Sequence, residues 1–311
     1  MQYLLPDPKI PYERTARSSR ERELQHGRRM RLFILGLGYS ARHFVGQFGG
    51  AFSHIAGTVR DPGKRNDLAD IEVHTFSGSS PAREVVERVR DADVLLISIP
   101  PGSAGDPAVT ALGDALASRR RKIVYLSTIG VYGDHAGRWV DESTPPQATL
   151  DRTRTRVAAE QAWTATARGD VAILRLAGIY GPGRNALVTL RAGTARRIIK
   201  PGQVFNRIHA DDIASAIMAA VKHSDGGTWN VCDDEPAPPQ DVIAYAAKLM
   251  DLAPPPEEPF EIAEMSAMAR SFYASSARVS NAKLKHELGV TLAHPTYRHG
   301  LDALWHTGQG R

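Results

Sequence analysis

Arg31-Leu32-Phe33-Ile34-Leu35-Gly36-Leu37-Gly38-Tyr39-Ser40-Ala41, RLFILGLGYSA, is the stretch on which the fold turns. Arg31–Leu35 is a short apolar run bounded by glycine, which reads as a buried strand. Ser40–Phe48 reads as a helix. Between them stands G-x-G-x-x-A. Gly36 permits a tight turn, Gly38 lets backbone approach a pyrophosphate, and Ala41 lets the helix pack closely on the strand. The helix start at Tyr39 and Ser40 offers unpaired N–H groups and the positive end of a dipole to phosphates. The spacing points to a dinucleotide. The alternative is a turn that serves architecture alone.

Outward from this turn, short apolar runs alternate with helical stretches. Ile55–Arg60, Ile71–Phe76, Asp93–Ile99, Lys122–Ser127 and Val171–Leu176 read as strands. Asp61–Ala69 reads as a turn and short helix. Ala82–Arg90, Pro107–Ser118 and Leu150–Ala167 read as helices. Apolar strands separated by helices imply an α/β fold, a Rossmann-type doubly wound parallel sheet covered on both faces. After Gly181 the rhythm breaks. Asp211–Val221 is an apolar helix, Thr228–Cys232 a strand and Asp241–Met250 a helix. The proline-rich stretch 252–260 excludes helix or central strand. Ala263–Ser271, Asn281–Leu288 and Tyr297–Trp305 read as short helices, with Asn281 and Gly289 as N-cap and C′ residues of the second. The expected division is a Rossmann domain of 30–180 plus about 204–234, and a smaller C-terminal substrate lobe of about 181–203 plus 235–311.

The chain has 311 residues, 39 Lys+Arg and 34 Asp+Glu, a net charge of +5. Residues 1–30 hold seven basic and four acidic residues, leaving +2 for the remainder. Residues 1–29 read as a charged, solvated, disordered extension without a signal-peptide core. The nearly neutral remainder argues against nucleic acid as a partner. The single cysteine, Cys232, excludes an internal disulfide and a four-thiolate zinc site, and no metal is expected. No apolar run approaches the ~18 residues that span a bilayer, so no membrane partner is expected.

The second strand ends Gly57-Thr58-Val59-Arg60-Asp61. This place normally meets the adenosine ribose. Arg60 there favours a 2′-phosphate through charge-assisted hydrogen bonds of ~1.5–3 kcal/mol each. Lys64 and Arg65 add positive charge, and Asp61 is the contrary signal. NADP is therefore expected over NAD. Ile99-Pro100-Pro101-Gly102 follows a central strand and should pass beside the cofactor, or else it merely terminates the strand.

Four further stretches carry a resemblance: Leu126–Asp134 (LSTIGVYGD), Leu174–Asn185 (LRLAGIYGPGRN), Phe205–Ile217 (FNRIHADDIASAI) and Arg278–Gly289 (RVSNAKLKHELG). With the glycine turn they make the chain resemble the extended short-chain dehydrogenase/reductase superfamily, in its atypical NAD(P)-dependent epimerase/dehydratase-like branch. The resemblance covers about residues 30–308. It implies a catalytic Ser/Thr at Thr128, holding a substrate oxygen. It also implies a general acid/base Tyr and a ribose-binding Lys on the next long helix, but those positions hold Arg152 and Arg156. An Arg is a poor acid/base at neutral pH, so the proton carrier is unassigned. Arg156 keeps the charge to fix a ribose or phosphate.

Tyr132 and Tyr180 are expected to wall the site, Tyr180 toward the cofactor and Tyr132 toward the substrate. Asp134 and His135 read as a solvated loop. The Asp211–Asp212 pair after His209 reads as an N-cap plus first-turn charge. Cys232 reads as an inert core thiol. Arg184, Arg191, Arg196, Arg197, Lys200 and Arg207 lie where relatives contact a nucleotide-sugar or other acidic substrate, though a solvated helix face reads equally. Arg184 and Arg207 are the favoured pair, and Phe272, Tyr273 and Arg278 close the pocket. The function implied is an NADP-binding, epimerase/dehydratase-like oxidoreductase of a small molecule, cytoplasmic, with a homodimer expected of the family. The rival is a non-catalytic NAD(P)-binding redox sensor or regulator.

Overall fold

A computed structural model of the chain describes residues 30–63, 71–167 and 169–310. The 1–29 extension, most of the Asp61–Ala69 segment and both Lys64 and Arg65 lie outside the described residues. Seven strands form the central sheet: β1 (Arg31–Leu35), β2 (His54–Val59), β3 (Glu72–Thr75), β4 (Val94–Ile97), β5 (Lys122–Thr128), β6 (Val171–Leu176) and β7 (Gly227–Val231). Their order is β7-β6-β5-β4-β1-β2-β3, and every neighbouring pair runs parallel. Chain direction across the sheet reverses between β1 and β4, so the glycine turn after β1 opens at the switch point, where ligands bind in such sheets.

The inner strands β1 and β4 read as apolar runs because each face is buried in its own layer. Leu32, Ile34, Leu96, Val124 and Leu174 point to one side, packing against α1 (Tyr39–Phe48) and later α6. Phe33, Leu35, Leu95, Ile97 and Tyr125 point to the other. There they meet α2 (Arg83–Asp91), α3 (Pro107–Leu116) and α4 (Asp151–Thr166) through Val85, Leu112 and Trp163.

A second group of elements crosses the carboxyl end of the sheet. It comprises α5 (Ala186–Arg191), α7 (Pro239–Leu249), α8 (Ala267–Phe272) and α10 (Tyr297–His306), while α6 (Ala210–Lys222) and α9 (Ala282–Leu288) pack with α1 on the face of the sheet. Residues 178–180 pair with 207–209, 197–199 with 257–259, and 139–140 with 278–279, each in parallel. The proline-rich stretch thus contributes only a three-residue strand in a two-stranded ladder. Leu187, Val242, Leu301 and Leu304 give α5, α7 and α10 a core of their own.

Two capping expectations change. Gly289 ends α9 with φ +64°, the left-handed turn that glycine supplies. Asn281 at the other end makes no side-chain cap, because its Nδ2 donates to Cys232 O and Asp234 Oδ1. At α6 it is His209, not an aspartate, that caps, its Nδ1 accepting the Asp211 N–H at 3.2 Å. The free edge of β7 is dressed by side chains: Glu142 Oε1 accepts the Asn230 N–H at 2.7 Å, and Lys283 Nζ donates to Thr228 O at 3.0 Å.

Candidate active site

The phosphate cradle is built by backbone. The Gly36 N–H donates to Thr58 Oγ1 (3.0 Å) and the Leu37 N–H to Thr58 O (2.8 Å), which ties the turn to β2. Gly36 sits at φ +97°, and a Cβ there would stand 2.7 Å from Ile99 Cγ2. Gly38 differs. It is exposed, and a Cβ would find nothing nearer than Ser98 Oγ at 4.0 Å. It is also the N-cap of α1 and brings no side-chain hydrogen bond, and the first turn holds no acidic residue. Tyr39, Ser40 and Ala41 therefore begin a helix whose amides are left for an incoming anion. Ser40 and Ala41 are themselves buried against the sheet. This open, uncapped and glycine-lined surface fits a pyrophosphate.

Arg60 is exposed at the tip of β2 and has no ion-pair partner among the described residues. Asp61 turns back on its own loop and accepts the Gly63 N–H at 2.9 Å. Across the groove, Tyr39 OH donates to Pro182 O (3.1 Å), and the Arg184 guanidinium stands 5.9 Å from the Tyr39 ring centroid. Tyr39 and Arg184 thus meet at one place from opposite ends of the site.

Beyond the turn lies a cavity of about 1080 Å³ between the carboxyl ends of the strands and the C-terminal elements. Its wall includes Pro100, Thr128, Arg152, Arg156, Arg184 and Arg207, with Tyr180, Phe205, Phe272 and Tyr273. Ile99 stays behind, packed on Gly36. Thr128 Oγ1 accepts the Gly130 N–H at 3.1 Å, which leaves its own proton to donate. Arg156 Nη1 donates to Tyr125 OH (2.8 Å) and Leu126 O (3.1 Å). Burial pushes that phenol up to about 12. Arg207 Nη1 donates to Phe205 O (2.9 Å) and Ala237 O (3.1 Å). Tyr180 packs its hydroxyl end on Gly300 of α10, and burial pushes its pKa up.

The NAD dependent epimerase/dehydratase family matches residues 108–232, from α3 through β7. Over this middle segment the chain is similar to that family. It is similar to a conserved protein of unknown function from Silicibacter pomeroyi, with 46% identity, a TM-score of 0.83 and coverage of 90% of this chain and 99% of that one. It is 34% identical over 182 residues to Protein YeeZ of Escherichia coli, covering 55% of this chain and 64% of YeeZ. It is 30% identical over 137 residues to a 3-diazoavenalumate denitrifying reductase from a Streptomyces species, covering 42% of this chain and 45% of the reductase. The chain therefore spans less than two thirds of either of these two relatives.

Within the family frame, several expected site residues stand elsewhere. Tyr132 is not a wall of the cavity. It is 1% exposed, its OH donating to Asn230 Oδ1 (2.8 Å) and accepting from Arg175 Nη1 (3.0 Å). It ends the 3₁₀ turn 129–132, in which Val131 and Tyr132 are both buried. Arg278 donates to Gly137 O and fixes a loop instead of closing the pocket. Arg196 and Arg197 pair with Glu258 (2.5 Å) and Glu257 (2.8 Å), while Lys200 donates to Tyr273 O. These three are staples between segments, away from the cavity wall.

Sequence reading missed a buried network beneath Thr128. Ser127 Oγ donates to Glu160 Oε1 at 2.5 Å, and Glu160 Oε2 takes Arg175 Nη2 at 2.7 Å. An Arg inside the apolar run VAILRL was the available signal, since a buried guanidinium demands a partner.

A second missed cluster joins three elements at Asp211. Its Oδ1 takes His43 Nε2 (2.5 Å) and Gln47 Nε2 (2.6 Å) from α1, and its Oδ2 takes His294 Nε2 (2.9 Å) from the loop before α10. His209, Asp211 and His294 also have the spacing of metal ligands. His209, then His294 and His43, hold the Asp211 carboxyl well below its usual range, and the Asp211 hydrogen bond raises His294. A lowered carboxyl stabilises the fold above its unfolded value of 3.8 and loses this as pH falls. A raised imidazole stabilises below its unfolded 6.5 and loses this as pH rises through its folded value. Only between the two are both contributions fully present at once. The melting-temperature advantage of wild type over His294→Gln is thus expected to be largest near pH 5–6 and to shrink toward pH 9. A gap constant across that range would contradict the assignment.

Proposed function

We propose that this protein is an NADP(H)-dependent oxidoreductase of a small anionic molecule. The observation that carries the reading is the uncapped, glycine-lined start of α1, which opens toward a cavity walled by Thr128 and four arginines. Gly36, Gly38 and the first amides of α1 would hold the pyrophosphate, Arg60 the 2′-phosphate, and Tyr180, Pro100 and Arg156 the nicotinamide end. When bound, the nicotinamide supplies or accepts hydride. Thr128 donates a hydrogen bond to a substrate oxygen and orients it. The guanidiniums of Arg152 and Arg184 attract the anion. The name of the Streptomyces relative, a reductase, supports the reductive direction.

One observation favours a second reading, a redox sensor that binds the cofactor without turnover. The family's acid/base position is Arg152, and the one carboxylate on the cavity wall, Asp151, pairs outward with Arg154 at 2.8 Å.

Calorimetric titration with NADPH, NADP, NADH and NAD tests the proposal. The phosphorylated pair should bind at least ~10-fold more tightly, and Arg60→Ala should remove this preference, as a charge-assisted bond of ~1.5–3 kcal/mol requires. No binding of any dinucleotide would overturn the reading. NADPH binding without oxidation against a panel of carbonyl acids would favour the sensor.

A further inference from the structure

We propose that the cavity's substrate is an organic acid with an apolar body, its carboxylate clamped by Arg152. The inference builds on the dinucleotide reading, which assigns the cavity to a substrate.

Its apolar neighbours set Arg152 apart from the other wall arginines. Arg156 and Arg207 spend hydrogen bonds on Tyr125 OH, Leu126 O, Phe205 O and Ala237 O, and Arg184 lies over Tyr39 at the cofactor groove. Arg152 touches only neutral groups: Ser271 Oγ at 2.5 Å, Met268 Sδ at 3.7 Å and the Phe272 ring, whose centroid is 4.7 Å from its Cζ. It has no carboxylate partner among the described residues. Two residues along the same helix, Arg154 has Asp151. The Arg152 fork is therefore open to an anionic head beside an apolar surface. A guanidinium binds a carboxylate bidentately, and apolar neighbours strengthen the pair by thinning the water around it.

The surroundings select the rest of the molecule. Met268 and Phe272 on α8 are 59% and 54% exposed, among the few large apolar side chains left open to solvent. Phe272 faces the cavity beside Arg152. Phe205 and Tyr273, 5.2 Å apart edge to face, continue that apolar wall inward. A planar or aliphatic acid would lay its body on Phe272 and Phe205 while its head meets Arg152.

The test titrates cinnamate, 3-phenylpropionate, their amides and UDP into the full chain, with and without saturating NADPH. Wild type should bind at least one acid about 10-fold more tightly than its amide, a charge-assisted contribution. Arg152→Ala should erase this discrimination, and Arg152→Lys should retain part of it. Melting temperatures verify that each variant is folded. The proposal falls if neither acid outbinds its amide, if Arg152→Ala still discriminates, or if UDP binds more tightly than both acids. NADPH affinity is measured separately, so loss of the cofactor reading is told apart from loss of this one.

Discussion

Gly38→Asp is expected to abolish dinucleotide binding while leaving the protein folded. The position is exposed, and a side chain there meets nothing within its first atoms except Ser98 Oγ at 4.0 Å. The new carboxylate would instead occupy the space the pyrophosphate needs. Two like charges about 4 Å apart repel by ~4 kcal/mol at the dielectric typical near a protein surface. That corresponds to a Kd raised by roughly 1,000-fold. The carboxylate would also cap the first amides of α1, which favours the helix itself. Calorimetry with NADPH and a thermal melt together make the check. Binding retained within a few-fold would mean the turn does not carry phosphate. Gly36 is the contrast. Gly36→Ala, at φ +97° with Ile99 Cγ2 2.7 Å away, should lower the melting temperature itself.

The second large effect lies in the buried pair under Thr128. Glu160 and Arg175 expose only 7% and 8% of their side chains. Glu160→Ala leaves the guanidinium buried with Tyr132 OH as its remaining partner. Removing one member of such a pair costs ~3–5 kcal/mol. For a chain of this size that lowers the melting temperature by roughly 10 °C. Replacing both residues by methionine should recover most of the loss, because the paired charges contribute little net stability over a packed apolar pair. Denaturant unfolding of the single and double variants measures this. A single variant within about 1 kcal/mol of wild type would show that Arg175 finds another partner. The effect reaches function through Ser127, which Glu160 holds one residue before Thr128.

The sheet was legible because its inner strands, β1 and β4 above all, are buried on both faces and so become plain apolar runs, while the half-buried edge strand β3 shows as an alternating one. The glycine turn was legible because its chemistry is local. The cavity arginines were legible from the resemblance, which numbers positions along a shared fold. What escaped depends on direction rather than residue type. Tyr132 and Tyr180 both follow central strands and read alike, yet one lies in the buried network and the other lines the cavity. His43 and His294 stand 168 and 83 residues from Asp211, and nothing local announces that they meet. His209 as a cap was hidden by the two aspartates that follow it, the commoner capping residues.

The dressed edge of β7 bears on how copies of this molecule can associate. An edge strand normally offers a row of free amides and carbonyls to any extended chain that drifts past, and proteins that leave it bare stack into fibres. Here the Glu142 carboxylate sits on the outward Asn230 amide and the Lys283 ammonium on the Thr228 carbonyl, so the two positions an eleventh-hour neighbour would use first are already taken. A continuous sheet running through two molecules is closed at this edge, and only the opposite edge, at β3, leaves the sheet a strand to extend from.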